Sequence, residues 1–172
     1  MTISFEAELI NIGTRQLIVL PLSSSKEIPS RGMSMVQGTI NTIPFKAPLE
    51  PDGKGSHWIE VGSSLCEQAK LSVHKKVNLN IEPLNKWDEP EIPEDIINEI
   101  KKENLMDKWN SLTTKARWDW LRWIRATANP ETRKKRIYVT CSKLKKGDKN
   151  PCCFDRTRCT VTDVSKSGVL LD

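Results

Sequence analysis

The pattern of apolar residues changes once along this chain, at a short segment rich in proline and acidic residues. Before residue 84, apolar residues occur in short runs that partly alternate with polar ones and are separated by glycine and proline, which is typical of β-strands. After residue 93, they recur at the spacing of amphipathic helices. The segment between them carries Trp87, Pro90 and Pro93 among acidic residues, a composition that favours a stiff, extended linker. The sequence therefore predicts an α+β protein, with a β-rich N-terminal domain followed by helices.

The boundaries of the predicted parts follow from this change. We expect a β-domain over residues 1–84, a linker over 85–93, a helical module over 94–150 and an irregular C-terminal tail over 151–172. The predicted strands are Phe5–Ile10, Gln16–Leu20, Met33–Ile40, Ile43–Leu49, His57–Val61 and Val77–Ile81. A polar loop is expected from Ser23 to Gly32, and Ser63 or Ser64 is expected to cap a short helix that ends near Lys70. Short strands with such turns indicate a small barrel or a sandwich.

Two details of the sequence bear on local geometry. Gly38, inside the third predicted strand, indicates a bulge or a close approach of two backbones. The predicted helices are Pro93–Lys102, Asn104–Asn110, Thr113–Ala128 and Glu131–Lys146. Thr113 is expected to cap the third of these helices, and Gly147 to end the fourth.

The positive charge of the chain is concentrated in one region. The net charge is +5, yet residues 113–160 hold 14 Lys/Arg against 4 Asp/Glu, whereas residues 89–112 hold 3 against 7. A concentrated positive field favours acidic or phosphate-bearing partners. The alternative is that the acidic segment packs beside the basic one and neutralises much of its charge.

The centre of the basic region combines tryptophan with arginine. Trp118, Trp120 and Trp123 alternate with several arginines between Thr113 and Ile137. Arginine binds phosphate and carboxylate in a bidentate manner, and indole rings stack on bases, so this composition suits nucleic acid. The alternative is that Trp120 and Trp123 are core residues, because large aromatic residues at helical spacing dominate protein cores.

Other motifs offer weaker indications. The turn from Pro51 to Gly55, followed by His57, has glycines and cations that suit an anion. A strand is predicted directly after it, so a hairpin turn is the competing interpretation. Cys141, Cys152, Cys153 and Cys159 include an adjacent pair, a spacing unlike that of structural zinc sites. They remain weak metal candidates, and we expect no cofactor. None of the common catalytic motifs is present, so nothing in the sequence indicates an enzyme.

The expected location is the cytoplasm. Five cysteines are an odd number and a poor disulfide framework, which suits reduced thiols. No apolar stretch is long enough to span a bilayer, and the N-terminus lacks the basic end and apolar run of a signal peptide. We therefore expect no membrane partner.

Five longer motifs make the chain resemble a known family. They are PSRGMSMVQGTIN (Pro29–Asn41), LEPDGKGSHW (Leu49–Trp58), ARWDWLRWIRAT (Ala116–Thr127), PETRKKRI (Pro130–Ile137) and PCCF (Pro151–Phe154). The chain resembles the YdeI/OmdA, or bacteriocin-protection, family with an N-terminal barrel of the domain of unknown function 1905. The resemblance implies a barrel of the double-split type followed by a helical module, in an intracellular protein loosely linked to stress or bacteriocin tolerance. It implies no reaction, so it provides no catalytic residue.

The chain departs from this family at two turns. Thr42 stands where the family often has glycine, and His74-Lys75-Lys76 replaces a more usual Gly-Asp turn. The sequence therefore does not determine the backbone geometry of these two turns.

The motifs and the charge pattern together give a set of candidate ligand-binding residues. The candidates are Arg31, Asp52, His57, Trp58, Arg117, Arg125 and Arg133; Trp120, Glu131 and Thr132 share their motifs. Our first hypothesis is a non-enzymatic binding protein for an anionic ligand, such as nucleic acid, with the arginines supplying charge and His57 and Trp58 at the barrel rim. The alternatives are an enzyme or a thiol or zinc site around the C-terminal cysteines, and a protein-interaction module, including one that pairs with its own copy.

Overall fold

The chain folds into two compact units. The structure, a computed structural model, describes residues 1–152 and 154–172. The barrel unit comprises residues 1–86 and 156–172, and the helical unit comprises residues 87–155. The C-terminal segment thus belongs with the barrel, whereas an irregular tail was expected there.

The first unit is a closed antiparallel barrel of six strands. The strands are β1 (Ile3–Ile12), β2 (Arg15–Val19), β3 (Ser34–Ile40), β4 (Ile43–Pro51), β5 (His57–Glu60) and β6 (Lys76–Pro83). Their order around the barrel is β1-β2-β5-β4-β3-β6. In β6 the side chains alternate, because Val77, Leu79 and Ile81 are buried while the residues between them are exposed. The α+β class and the barrel are thereby confirmed.

Gly38 lies where two strands come too close for a side chain. It pairs with Phe45 of β4 on one side and with Ile81 of β6 on the other. A Cβ atom at this position would lie 1.8 Å from the carbonyl oxygen of Asn80. The predicted close approach is confirmed, and glycine is required because the obstacle is backbone.

The two turns that depart from the family pattern have left-handed backbone. Thr42 has φ +75° in the β3–β4 turn, and His74 has φ +68° before β6. Glycine adopts such angles without steric cost, whereas a β-branched residue such as threonine does so only with strain.

Two short helices differ from the expectations for the barrel half. Helix α1 (Leu22–Ser25) overlaps the start of the segment that was expected to be a loop, Ser23–Gly32. Helix α2 (Ser63–Gln68) has Gly62 at its N-cap and no side-chain cap, so neither Ser63 nor Ser64 caps it. Serine was expected to cap because its hydroxyl accepts from backbone N–H groups, but both serines lie inside the first turn.

The helical unit contains four helices in its described part. They are α3 (Glu94–Lys102), α4 (Met106–Ser111), α5 (Thr114–Arg125) and α6 (Pro130–Lys145). Thr113 caps α5 as predicted, because its hydroxyl accepts from the Ala116 N–H at 3.1 Å. Gly147 follows α6 with φ +89°, which suits a helix C-terminus. Their apolar faces form one core of Ile96, Ile100, Leu105, Trp109, Leu112, Ala116, Trp120, Leu121, Ile124, Ile137, Cys141 and Leu144.

The segment expected to be a linker packs on α5. The indole Nε1 of Trp118 donates to the carbonyl oxygen of Asp88 at 2.8 Å, and the Lys115 ammonium lies 5.3 Å from the ring centre of Trp87. Residues 87–93 are therefore part of the helical unit. Among the described residues, no helix is long and apolar enough to cross a membrane.

Candidate functional site

The Pro51–Gly55 turn is stabilised by a buried carboxylate. Oδ1 of Asp52 accepts from the backbone N–H groups of Lys54 at 2.7 Å and of Ser56 at 2.9 Å. Asp52 is buried, so this oxygen serves the turn. The segment is a hairpin turn between β4 and β5, in agreement with the competing interpretation.

The same turn receives the C-terminal segment. Two short strands, β7 (Ser165–Lys166) and β8 (Val169–Leu170), pair with each other, and the Leu170 N–H donates to the carbonyl oxygen of Asp52 at 2.8 Å. Gly53 has φ +75°, and a Cβ atom there would lie 2.8 Å from the carbonyl oxygen of Gly168. The glycine thus allows the two segments to pack together.

His57 lies at the start of β5 and is completely buried. Its Nε2 lies 2.9 Å from the carbonyl oxygen of Gly32, so Nε2 carries the proton and donates. Nδ1 therefore accepts from the Ser25 hydroxyl, 2.7 Å away. Burial is the main cause that lowers the pKa of His57, and the nearby Arg31 cation lowers it further. The imidazole is neutral and joins α1 to the loop before β3.

A serine hydroxyl that donates to imidazole also occurs in hydrolases. Here both Ser25 and His57 have no solvent exposure, so a substrate has no access to the hydroxyl. The sequence did not indicate this pair, because Ser25 is 32 positions before His57 and belongs to no motif. The pair therefore has a structural role.

Arg31 is exposed, yet its guanidinium contacts the same loop. Nη2 donates to the carbonyl oxygens of Ser25 and of Ile28, the latter at 2.7 Å. Nη1 lies 3.4 Å from the carbonyl oxygen of Gly55. Arg31 thus connects the loop before β3 to the β4–β5 turn.

Trp58 is buried rather than placed at an open rim. Its Nε1 donates to the Thr160 hydroxyl at 2.9 Å, and Thr160 is itself fully buried. The ring packs in a small core with Leu17, Val164 and Leu170. The expected rim position of His57 and Trp58 is thus not what the structure shows, because the C-terminal segment covers Trp58 and the loop before β3 covers His57.

The burial of His57 makes barrel stability dependent on pH. Because its folded pKa is below the ordinary value of about 6.5, the unfolded chain binds the proton more readily. The contribution of the neutral His57 to the free energy of unfolding is therefore fully present above the ordinary pKa. It is lost as the pH falls from there towards the lowered pKa of the folded state. We expect the His57→Gln variant to lose less stability than the wild type between about pH 7.5 and about pH 5.5, measured by urea unfolding. A His57→Gln variant with the same pH dependence as the wild type would contradict the assignment.

Arg117 of α5 makes contacts within the helical unit. Its Nε and Nη2 donate to both carboxylate oxygens of Glu89 at 2.9 and 2.6 Å. Nη1 donates to the carbonyl oxygens of Leu112, Trp109 and Asn110, which form the end of α4. The side chain is 13% exposed, and the hydrogen bonds from Arg117 lower the pKa of Glu89. Arg117 therefore joins three consecutive segments of this unit.

The tryptophans of α5 are largely structural. Trp120 has no exposure, and its Nε1 donates to the carbonyl oxygen of Lys149 at 2.9 Å. Its ring meets that of Trp123 edge-on, with centroids 6.0 Å apart. The Arg136 guanidinium lies 5.3 Å from the Trp123 ring centre. Arg125 ends α5 and is half-buried.

Arg133 of α6 lies at a cavity. Its Nε and Nη2 donate to the two carboxylate oxygens of Asp95 at 2.8 and 3.0 Å. The hydrogen bonds between them lower the pKa of Asp95 and raise that of Arg133. Glu131 and Thr132, from the same motif, donate their backbone N–H groups to the Asn129 cap of α6. Glu89, Asp95 and Glu103 all pair with cations of α5 or α6, so the acidic segment neutralises part of the basic one.

A groove between α3 and α6 holds a cavity of about 510 Å³. We call it the α3–α6 groove. Its lining residues are Asp95, Glu99, Lys102, Pro130, Arg133, Lys134, Ile137 and Tyr138. Three cations thus face two carboxylates, of which Asp95 is paired with Arg133. A smaller hollow of about 70 Å³ also includes Glu99 and Tyr138 in its lining.

Tyr138 was not among the residues that the sequence indicated. It is 71% exposed, although it is large and aromatic. A signal was available, because Tyr138 follows the basic residue Lys134 by four positions and so shares one side of the predicted helix with it. The groove itself could not be predicted, since it depends on how α3 packs against α6.

The cysteines fall in both units. Cys141 is buried in the helical core, where burial raises the pKa of its thiol, and Cys152 of the same unit is exposed. Cys159 belongs to the barrel unit and is buried. Cys153 lies outside the described residues. Among residues 1–152 and 154–172, no three His, Cys, Asp or Glu side chains cluster as metal ligands do.

The two units define an α+β protein that combines a closed six-stranded barrel with a unit of helices bearing a charged groove. Residues 5–81 match the family described as Domain of unknown function (DUF1905), and residues 89–147 match the family described as Bacteriocin-protection, YdeI or OmpD-Associated. The chain therefore combines an N-terminal domain of unknown function 1905 with a YdeI/OmdA segment, as its motifs indicated. The sequence matches no curated protein. Neither family description names a ligand or a reaction, and the α3–α6 groove lies entirely within the second matched segment.

Proposed function

We propose that the protein is a non-enzymatic binding protein for an anionic, phosphate-bearing ligand, and that the ligand binds in the α3–α6 groove. The observation that carries the proposal is a cavity of about 510 Å³ lined by Lys102, Arg133 and Lys134. That volume lies within the range of roughly 300–1,000 Å³ that is usual for ligand sites. Lysine and arginine are the side chains that bind phosphate oxygens, as point charges and as planar donors respectively.

The other candidate residues from the sequence are less suited to bind a ligand, because they are buried or already hold contacts within the protein. Arg117 is 13% exposed and donates to Glu89 and to backbone carbonyl oxygens, while Asp52, His57 and Trp58 are buried. Arg133 is also paired with a carboxylate, but its side chain is 28% exposed and lines the cavity. Lys102 and Lys134, by contrast, are both exposed at the groove. Arg133, one of the positions identified in the sequence, lines this cavity directly.

Nucleic acid is the abundant polyanion of the cytoplasm, where we place the protein under this proposal. The link to bacteriocin tolerance arises from the family description and the link to stress from the family resemblance, and both stay expectations. It would follow if the bound anion belonged to a stress response.

Lys134 and Lys135 provide a matched test. Both are exposed neighbours on α6, but Lys134 lines the groove and Lys135 does not. We expect Lys134→Ala to weaken binding of a fluorescently labelled abasic oligonucleotide about 5-fold, and to lower the salt slope by about 0.7 for one lost phosphate contact, as measured by anisotropy at several salt concentrations. Lys135→Ala should have a clearly smaller effect.

A second pair on α3 repeats the comparison. Lys102 lines the groove, whereas its exposed neighbour Lys101 does not. Equal losses for Lys101→Ala and Lys102→Ala, together with equal losses for Lys134→Ala and Lys135→Ala, would show a diffuse basic surface instead of a site. Loss of all wild-type binding at physiological salt would also overturn the proposal.

A further inference from the structure

We infer that the ligand of the α3–α6 groove is a single-stranded nucleic acid, one of whose bases stacks on Tyr138. This inference rests on the proposed function, because the same groove would bind the phosphates. It adds a residue that no motif indicated and selects one class of polyanion.

The first step is the exposure of Tyr138. The side chain is 71% exposed on α6, and it lines both the main cavity and the smaller hollow beside it. The ring therefore stands between two depressions and is accessible to a planar group. Aromatic rings on basic surfaces act as stacking platforms, because every base has a π-face.

The second step is the position of the ring relative to the cations. Lys134 precedes Tyr138 by four residues on α6, so the two side chains are neighbours on one face of the helix. Both line the groove together with Lys102 and Arg133. A base on Tyr138 and a phosphate at Lys134 would thus belong to the same or adjacent nucleotides.

The third step distinguishes single strands from duplexes. In a duplex the base faces are stacked on each other, so a tyrosine ring reaches them only in an unpaired strand. A small inorganic anion would occupy the cations without involving the ring. A single strand offers both the phosphates and the free base face that this groove could bind.

The test compares two labelled oligonucleotides of equal length and charge, oligo(dT) and its abasic counterpart, by fluorescence anisotropy at physiological salt. We expect the wild type to bind oligo(dT) roughly 5-fold or more tightly than the abasic strand. Tyr138→Ala should remove this preference, so that the two strands bind this variant equally. Tyr138→Phe, which keeps the ring, should retain the preference.

The outcomes separate this inference from the proposed function. If the abasic strand binds in a Lys134-dependent manner but the wild type shows no base preference, stacking is refuted and the anion site stands. If neither strand binds, the proposed function fails. Tighter binding of a duplex, or equal binding of a labelled poly-glutamate peptide of the same charge, would also overturn the assignment to single strands.

Discussion

Replacement of Gly38 by alanine is expected to destabilise the barrel unit by about 3 kcal/mol or more, at the upper end of overpacking costs. The added Cβ would lie 1.8 Å from the carbonyl oxygen of Asn80 and 2.8 Å from the Cα atom of Ile81. Both atoms belong to the backbone of β6, so no change of rotamer relieves the clash. The β3–β6 pairing would have to separate, and this pairing is needed to close the barrel.

Gly62 provides the matched control for this substitution. A Cβ atom there meets nothing within 4 Å, and the residue has φ −66° at the N-cap of α2. We expect Gly62→Ala to change the free energy of unfolding by less than about 1 kcal/mol. Urea unfolding followed by far-ultraviolet circular dichroism measures both variants. A Gly38→Ala variant as stable as Gly62→Ala would contradict the barrel register described above.

Replacement of Arg117 by alanine is expected to destabilise the helical unit by about 3 kcal/mol, because charged hydrogen bonds to partly buried groups are lost together. The substitution leaves the carbonyl oxygen of Leu112 without this donor and removes the bidentate partner of Glu89. Arg117→Lys should recover only part of the loss, since lysine lacks the planar fork of donors. The free energy of unfolding from urea titrations gives the magnitude.

Arg133 provides an informative contrast to Arg117. It also binds a carboxylate in a bidentate manner, but its side chain is 28% exposed and its partner Asp95 is 50% exposed. Arg133→Ala should therefore cost less than about 1 kcal/mol of stability, as exposed ion pairs do. It should weaken oligonucleotide binding, whereas the folded fraction of Arg117→Ala should bind like the wild type. The reverse result would assign the ligand to Arg117 and refute the groove.

The arrangement of strands and helices was predictable because it depends on local patterns. Alternation in Val77–Ile81 identified β6, and the spacing of Ile96 and Ile100 identified α3. The strand pattern alone did not distinguish a barrel from a sandwich. That distinction required the family resemblance or the structure, because closure of the sheet depends on pairing between distant strands. The C-terminal segment was missed because β7 and β8 have two residues each, too short for a pattern.

The candidate site was predictable only in part, for a physical reason. A sequence shows that an arginine is present but not whether its donors are already used, as they are by Glu89 at Arg117. It also shows that His57 is polar, but not that Ser25 and Gly32 satisfy both ring nitrogens. Arg133 was identified from its motif, whereas Tyr138 became a candidate only when its exposure beside a cavity was known.

The most direct test of the α3–α6 groove is an NMR titration of the ¹⁵N-labelled protein with oligo(dT), because it reports the location of the ligand. Our account predicts that the backbone amide shifts change along Asp95–Lys102 and Glu131–Tyr138, with small changes elsewhere in the chain. Shift changes centred on the barrel strands, or at Arg117 and the start of α5, would contradict it.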